Sequence, residues 1–184
     1  MMENKKFQNK YRIPSNRLQG FDYGSHALYF VTICTKNRVH YFGEIVETDN
    51  YFVETDNYPS LRETTIGKIA FDFWQEIPEH YPFVELDGFV VMPNHVHGIL
   101  FFNRPEKTDW NPNKFGVQSQ NLGAVIRAYK SSVKRYANLN EIEFEWQSRF
   151  QDHIIRNEEQ RQIIKNYIMN NPKNWKGDKF NGNP

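Results

Sequence analysis

Cysteine is nearly absent from this chain: one residue, Cys34, in 184. A lone thiol makes no intramolecular disulfide and no cysteine-based zinc cluster. Its setting inside "LYFVTIC" is apolar, which predicts a buried, inert group. Long apolar runs are missing too; none approaches the roughly 20 residues of a transmembrane helix. The opening stretch "MMENKKFQNKYRIPSNR" has no apolar segment behind its charges, so the sequence predicts no secretory signal, no membrane partner and a cytoplasmic location. Nor does one sign of charge dominate, since 23 Lys and Arg stand against 22 Asp and Glu.

That balance hides an asymmetry. Residues 1–103 hold 9 Lys and Arg against 13 Asp and Glu, whereas residues 104–184 hold 14 against 9. A basic half can face a polyanion while the acidic half faces away, although a difference of this size is also what ordinary surface variation gives. Aromatic residues are abundant at 16% and can build a core from few positions. The length predicts one domain over 1–184, with a polar arm over about 1–20 and a fraying tail over about 177–184.

The segments "ALYFVTICT" (27–35) and "VHYFGEIV" (39–46) read as strands forming a hairpin across "TKNR". "VETDNY" then occurs twice, at 46–51 and 53–58, as a local acidic duplication. Two copies are too few for a solenoid, which needs at least about 3. "PSLRETTIGKIAFDFWQEIP" predicts a helix capped by Ser60 with Glu63 three residues on, and ended by Pro78. "FVELDGFVVM" and "HVHGILFF" predict two strands joined by the turn dipeptide "PN", and 103–118 a loop. A helix over about 120–137 carries an apolar stripe of Leu122, Val125, Ile126, Tyr129, Val133 and Tyr136, with Arg127, Lys130 and Lys134 on another face. After an extended piece, "FEWQSRFQDHII", a last helix opens at Asn157 with Gln160 completing a capping box. The order β-β-α-β-β-α-α is α+β, an antiparallel sheet with helices on one face.

"VVMPNHVHGIL" places two histidines one residue apart on a strand. Side chains alternate along a strand, so His95 and His97 share a face and can share a metal ion, while Val96 points into the core. Two exposed histidines on a polar strand face would look the same, so the pair alone does not decide. "MPNHVHGIL" resembles the histidine–hydrophobe–histidine strand of the HUH single-tyrosine transposases. Within them, the chain is most similar to the REP-associated tyrosine transposases. "YFVTICTKNRVHYFG" is similar to their opening hairpin and "WQSRFQDHIIRNEEQRQIIKNYIMNNPKNW" (146–175) to their C-terminal signature.

The resemblance implies a ferredoxin-like or RRM-like HUH nuclease architecture, a nucleophile at Tyr167, and metal ligands at His95, His97 and Asn171. Residues i and i+4 are neighbours on a helix, so Tyr167 and Asn171 can reach one site; Pro172, however, disfavours helical geometry at Asn171. The implied reaction cleaves and rejoins single-stranded or hairpin DNA through a 5′-phosphotyrosine, with Mg²⁺ or Mn²⁺ as cofactor and a homodimer or monomer as the working form. A phenol near pKa 10 is a weak nucleophile at neutral pH, hence the need for a nearby cation or base. Arg127, Lys130, Lys134, Arg149 and Arg156 are the expected phosphate contacts, and Trp146 can stack on a base or simply pack. Tyr129 and Tyr136 compete with Tyr167 on number alone but lie on a core stripe. His153 reads either as a further ligand or proton shuttle, or as a histidine that ties "WQSRF" to the sheet. Two other readings stand beside the transposase: an inactive nucleic-acid-binding domain of this fold, and a phosphodiester hydrolase using His95, His97 and His153 with water as nucleophile.

Overall fold

The computed structural model describes residues 6–7, 10–11, 17–46, 60–109 and 120–181. In chain order the elements are β1 (Lys6–Phe7), β2 (Lys10–Tyr11), β3 (Ala27–Cys34), β4 (Gly43–Val46), β5 (Ser60–Glu63), α1 (Thr65–Gln75), α2 (Ile77–His80), β6 (Val84–Met92), β7 (His95–Phe102), α3 (Leu122–Leu139), β8 (Gln151–Ile155) and α4 (Glu158–Asn170). All of the duplicated segment except Val46, and residues 110–118 of the predicted 103–118 loop, lie outside the described residues.

Strands β6, β7, β3 and β8 lie side by side in that order, all antiparallel. With α1 between β3 and β6, and α3 between β7 and β8, this is the ferredoxin-like arrangement. Two strand pairs, β1–β2 and β4–β5, stand apart from the sheet.

Alternation assigns the two faces of the central strands. Tyr29, Val31 and Ile33 from β3 and Val96 and Leu100 from β7 enter one core with Trp74 of α1 and Val125, Ile126, Tyr129 and Val133 of α3. The apolar stripe read from the α3 sequence is therefore the surface that packs. Gly98 lies on the same face, and any Cβ there would come within 2.2 Å of the fully buried Trp74 indole. The missing side chain is what lets the indole rest on the strand. On the other face, Ile99 packs with Ile155 and Ile168, against Phe30 and Ile164.

Burial on both faces explains why β7 is buried at every position but one rather than alternating. It also corrects the expectation that all helices share one side. Helices α1 and α3 cover one face, and α4 covers the other.

Three local expectations change. The strand at 43–46 does not pair with β3; a short 3₁₀ turn at Lys36–Arg38 leads the chain away, and β4 pairs with β5 in the register Gly43↔Glu63. Ser60 is consequently a strand residue, and the cap of α1 is Thr64, whose hydroxyl accepts from the Gly67 N–H at 3.1 Å. Both Ser60 and Thr64 satisfy the capping rule; pairing with β4 claims the first. Pro78 sits inside the short α2 rather than ending α1, which stops at Gln75. At α4, Asn157 caps the Gln160 N–H at 2.8 Å as predicted, while the Gln160 side chain returns to the N–H of Arg156, one residue earlier than a capping box would have it.

A fraying end was expected from about residue 177. Up to residue 181 the chain is instead packed: Phe180 is 2% exposed beside Cys34, Met92 and Trp175. One aromatic ring in an otherwise polar tail suffices to dock it.

Candidate active site

Strand β7 begins at the site. His95 and His97 are 0% and 1% exposed, with ring centroids 4.4 Å apart. Across the face, α4 brings Tyr167, whose hydroxyl lies 3.2 Å from His97 Nε2. Asn171 follows one turn later, 1% exposed. It keeps helical angles (φ −60°, ψ −43°) despite Pro172, so the tension between the proline and the helix is resolved in favour of the helix. The structure thus brings Tyr167, His95, His97 and Asn171 together.

The helix is held in place by charge. Asp87, at an irregularity of β6 between Leu86 and Phe89, accepts from Arg161 Nε at 2.7 Å and Lys165 Nζ at 2.8 Å. Burial alone would raise the Asp87 carboxyl, but Lys165 and Arg161 hold it below the ordinary carboxylate range.

Each ligand candidate has a second partner. His95 Nδ1 lies 2.9 Å from Asn94 Oδ1, and His97 Nδ1 lies 2.9 Å from Thr32 Oγ1. Asn171 Nδ2 donates to Asp178 Oδ2 at 3.2 Å. What remains is informative: His95 Nε2 and Asn171 Oδ1 are buried and have no hydrogen-bond partner. Burial pushes His95 well below its usual range, helped by His97 and opposed by Asn171. The opposition has a plain cause: a proton added to His95 would be shared with the facing amide oxygen. Two bare lone pairs facing each other suit a cation. Burial also takes His97 down to about 3. Both imidazoles are then neutral, as ligands must be. Tyr167 is raised by burial and by Asp178, against a smaller lowering by Asn171.

No group of three or more His, Cys, Asp and Glu side chains suited to a metal occurs among the described residues. His153 therefore does not join His95 and His97. Its Nε2 instead accepts from the Gln160 side-chain amide at 2.7 Å, which ties β8 to the first turn of α4. The donor set is two imidazoles and one amide oxygen. It fits a divalent ion that keeps open positions, as Mg²⁺ and Mn²⁺ do.

Phe180 covers this face, with its ring 4.6 Å from that of His95 and 5.7 Å from that of His97. Asn94, Thr32, Asp87, Asp178 and Phe180 escaped the sequence reading. Asn94 was visible only as half of a turn dipeptide; the others carried no local signal.

Along the sheet edge runs a cleft of about 1240 Å³. Arg127, Lys130, Lys134, Trp146 and Arg149 line it, whereas Arg156 does not, lying exposed between β8 and α4. Arg17, Arg38 and Arg135, not singled out from sequence, add to the same wall, and Thr32 and Cys34 carry it to the back of the histidine pair. Two of the expected free cations are partly committed: Lys130 Nζ donates to the Gln147 carbonyl at 2.5 Å and Lys134 Nζ to the Phe144 carbonyl at 2.6 Å. Trp146 is half-buried, donates to the Lys130 carbonyl, and packs on Phe42 and Phe144. Burial pushes Lys130 down to about 8.

No protein-family model matches the chain. A protein of Haemophilus influenzae named only as uncharacterized is 34% identical over 177 residues, covering 90% of this chain and 91% of the relative. Among solved structures, a REP-associated tyrosine transposase bound to a REP hairpin matches with a TM-score of 0.55 and 18% identity, over 91% of this chain and 77% of its own. A candidate transposase of Deinococcus radiodurans, 17% identical over 86% of this chain and 97% of its own, has a TM-score of 0.37, too low to argue a shared fold. The chain belongs to one family with the Haemophilus influenzae protein, and its fold is that of the REP-associated tyrosine transposase.

Proposed function

We propose that this protein is a metal-dependent transposase that cleaves and rejoins single-stranded or hairpin DNA through Tyr167. The observation that carries this reading is a tyrosine hydroxyl 3.2 Å from His97 Nε2 in a site that also holds two buried ligand atoms without a hydrogen-bond partner, His95 Nε2 and Asn171 Oδ1. His95, His97 and Asn171 would hold the cation, which supplies charge neutralisation for the phosphate. The Tyr167 oxygen attacks phosphorus; the bond to the 3′ oxygen breaks and its electron pair leaves with that oxygen. The phenol loses a proton and the departing 3′ hydroxyl gains one. The product is a 5′-phosphotyrosine, whose ester keeps the energy of the broken bond, so the reverse attack by a 3′ hydroxyl rejoins strands without ATP.

DNA is the proposed partner on two grounds. The structural neighbour is described as bound to a REP hairpin, and the edge cleft gathers cations next to the histidines. Arg127, Lys130, Lys134 and Arg149 would contact phosphates there, Arg156 would extend the contact towards α4, and Trp146 would offer a ring edge to a base.

The test is covalent trapping. The protein, mixed with end-labelled hairpin DNA from its own genomic flanks and Mn²⁺ or Mg²⁺, is expected to give a denaturation-resistant adduct that EDTA prevents. Retained hairpin binding with no adduct in either metal would leave the inactive binding domain as the better reading.

The cleft gives a second expectation. Lys130 titrates near 8 when folded and near its usual 10.5 when unfolded. DNA affinity should fall as pH rises through about 8, and Lys130→Arg should remove that step. The salt dependence of binding should be shallower above the step by about one unit of slope. Binding that is flat with pH in both proteins would take Lys130 out of the interface.

A further inference from the structure

We propose that Asn94 and Asp178 are positioning residues that decide which atom His95 and Asn171 present to a divalent cation. The proposal rests on the metal-dependent reading above and deepens it.

Hydrogen-bond directions make the case. Asn94 is 1% exposed. Its Nδ2 lies 3.0 Å from the Arg38 carbonyl and 2.8 Å from the Phe180 carbonyl. Carbonyl oxygens only accept, so the nitrogen of the amide must be on that side, and flipping it would set oxygen against two oxygens. The other end, Oδ1, is therefore the atom 2.9 Å from His95 Nδ1. An amide oxygen only accepts, so Nδ1 carries the imidazole proton. Neutral imidazole has one such proton, which leaves Nε2 as a bare lone pair. Two backbone carbonyls from distant parts of the chain thus fix the tautomer of a histidine neither of them touches.

Asn171 is oriented in a similar way. Asp178 is held by the Phe180 N–H, which donates to its Oδ1 at 2.7 Å. Its second oxygen takes the Asn171 Nδ2 at 3.2 Å. A carboxylate only accepts, so the amide nitrogen of Asn171 points outward and Oδ1 turns to His95. Phe180 joins both chains of reasoning: its carbonyl fixes Asn94 and its N–H fixes Asp178. The segment after α4 aligns both ligands at once.

The test reads the ligands before it reads the metal. Ring ¹⁵N spectra of the metal-free protein should show His95 in a single tautomer protonated at Nδ1. Asn94→Ala should give a mixture of tautomers and weaken Mn²⁺ binding by ~10-fold or more. Asp178→Ala should weaken Mn²⁺ binding by a similar factor. Backbone ¹H–¹⁵N spectra check that each variant is folded. A single tautomer and unchanged affinity in Asn94→Ala overturn the proposal and leave the metal reading standing. Unchanged Mn²⁺ affinity in Asp178→Ala takes Asp178 out of the positioning role. Wild-type protein that binds no Mn²⁺ overturns the metal reading, and the proposal with it.

Discussion

Replacing Tyr167 by phenylalanine is expected to abolish the covalent adduct and to lower strand cleavage by at least about 10³-fold, since loss of a nucleophile removes its route entirely. Hairpin affinity should stay near wild type, because Tyr167 is 39% exposed and lies on α4 rather than in the edge cleft. Folding should be little affected. The phenyl ring keeps its edge contact with Phe30, centroids 6.3 Å apart, and only the hydroxyl's bond to His97 is lost. A single such bond contributes about 1 kcal/mol. Other tyrosines cannot take over. Tyr129 is 3% exposed and donates its hydroxyl to the Ala70 carbonyl at 2.9 Å, on the opposite face of the sheet. Tyr136 packs on Phe73 on that same face. The measurement is a denaturing gel of labelled DNA, wild type beside variant. Cleavage that survives in the variant without an adduct would assign the chemistry to water and revive the hydrolase, although His153 is engaged with Gln160 rather than with the histidine pair.

Acid should unfold this protein early, and the histidine pair should be the reason. Both His95 and His97 titrate lower folded than unfolded, His97 at about 3. Below about pH 6.5 the unfolded chain takes up protons at these positions and the folded chain does not, so stability falls as pH falls. The slope is about 1.4 kcal/mol per pH unit for each histidine. Between pH 6.5 and 4.5 His97 alone would remove on the order of 2–3 kcal/mol, and His95 works in the same direction, against a typical stability of about 5–15 kcal/mol. Urea denaturation at a series of pH values measures it, with His95→Gln/His97→Gln as the comparison. The double variant should show a shallower acid limb. Mn²⁺ should protect the wild type at neutral pH by mass action, by about 2.7 kcal/mol at a hundred times its dissociation constant, and should not protect the double variant. An acid limb of equal slope in both would place the loss elsewhere.

The sequence exposes what is periodic or local. The strands at 27–34, 84–92 and 95–102 follow from their β-branched and aromatic content, and α3 from its stripe. The Tyr167–Asn171 spacing follows from one helical turn. What stayed hidden depends on contacts between distant segments. Nothing near residue 43 says that its strand will pair with 60–63 instead of 27–34, since either partner satisfies the same strand pattern. The side of the sheet taken by α4 depends on Asp87 meeting Arg161 and Lys165 across more than 70 residues. Phe180 was read as part of a polar tail because its slot is assembled from Cys34, Met92 and Trp175. The site followed the same division. The four candidate site positions form short patterns, whereas the groups that hydrogen-bond to them are paired only in three dimensions.

Helix α4 has one more effect. In RNA-recognition modules a four-stranded sheet of this kind is left bare, and aromatic rings on its central strands stack two or three bases. Here the corresponding surface is spent. Phe30, on a central strand, sits 5.3 Å from His97 and edge-on to Tyr167, beneath a helix pinned to edge strand β6. Bases cannot spread across that sheet without prising the helix away. On the proposed reading, a nucleic acid would be gripped from the side, along the rim where α3 faces Trp146 and Gln151, and recognition should depend on backbone shape and path more than on a row of stacked bases.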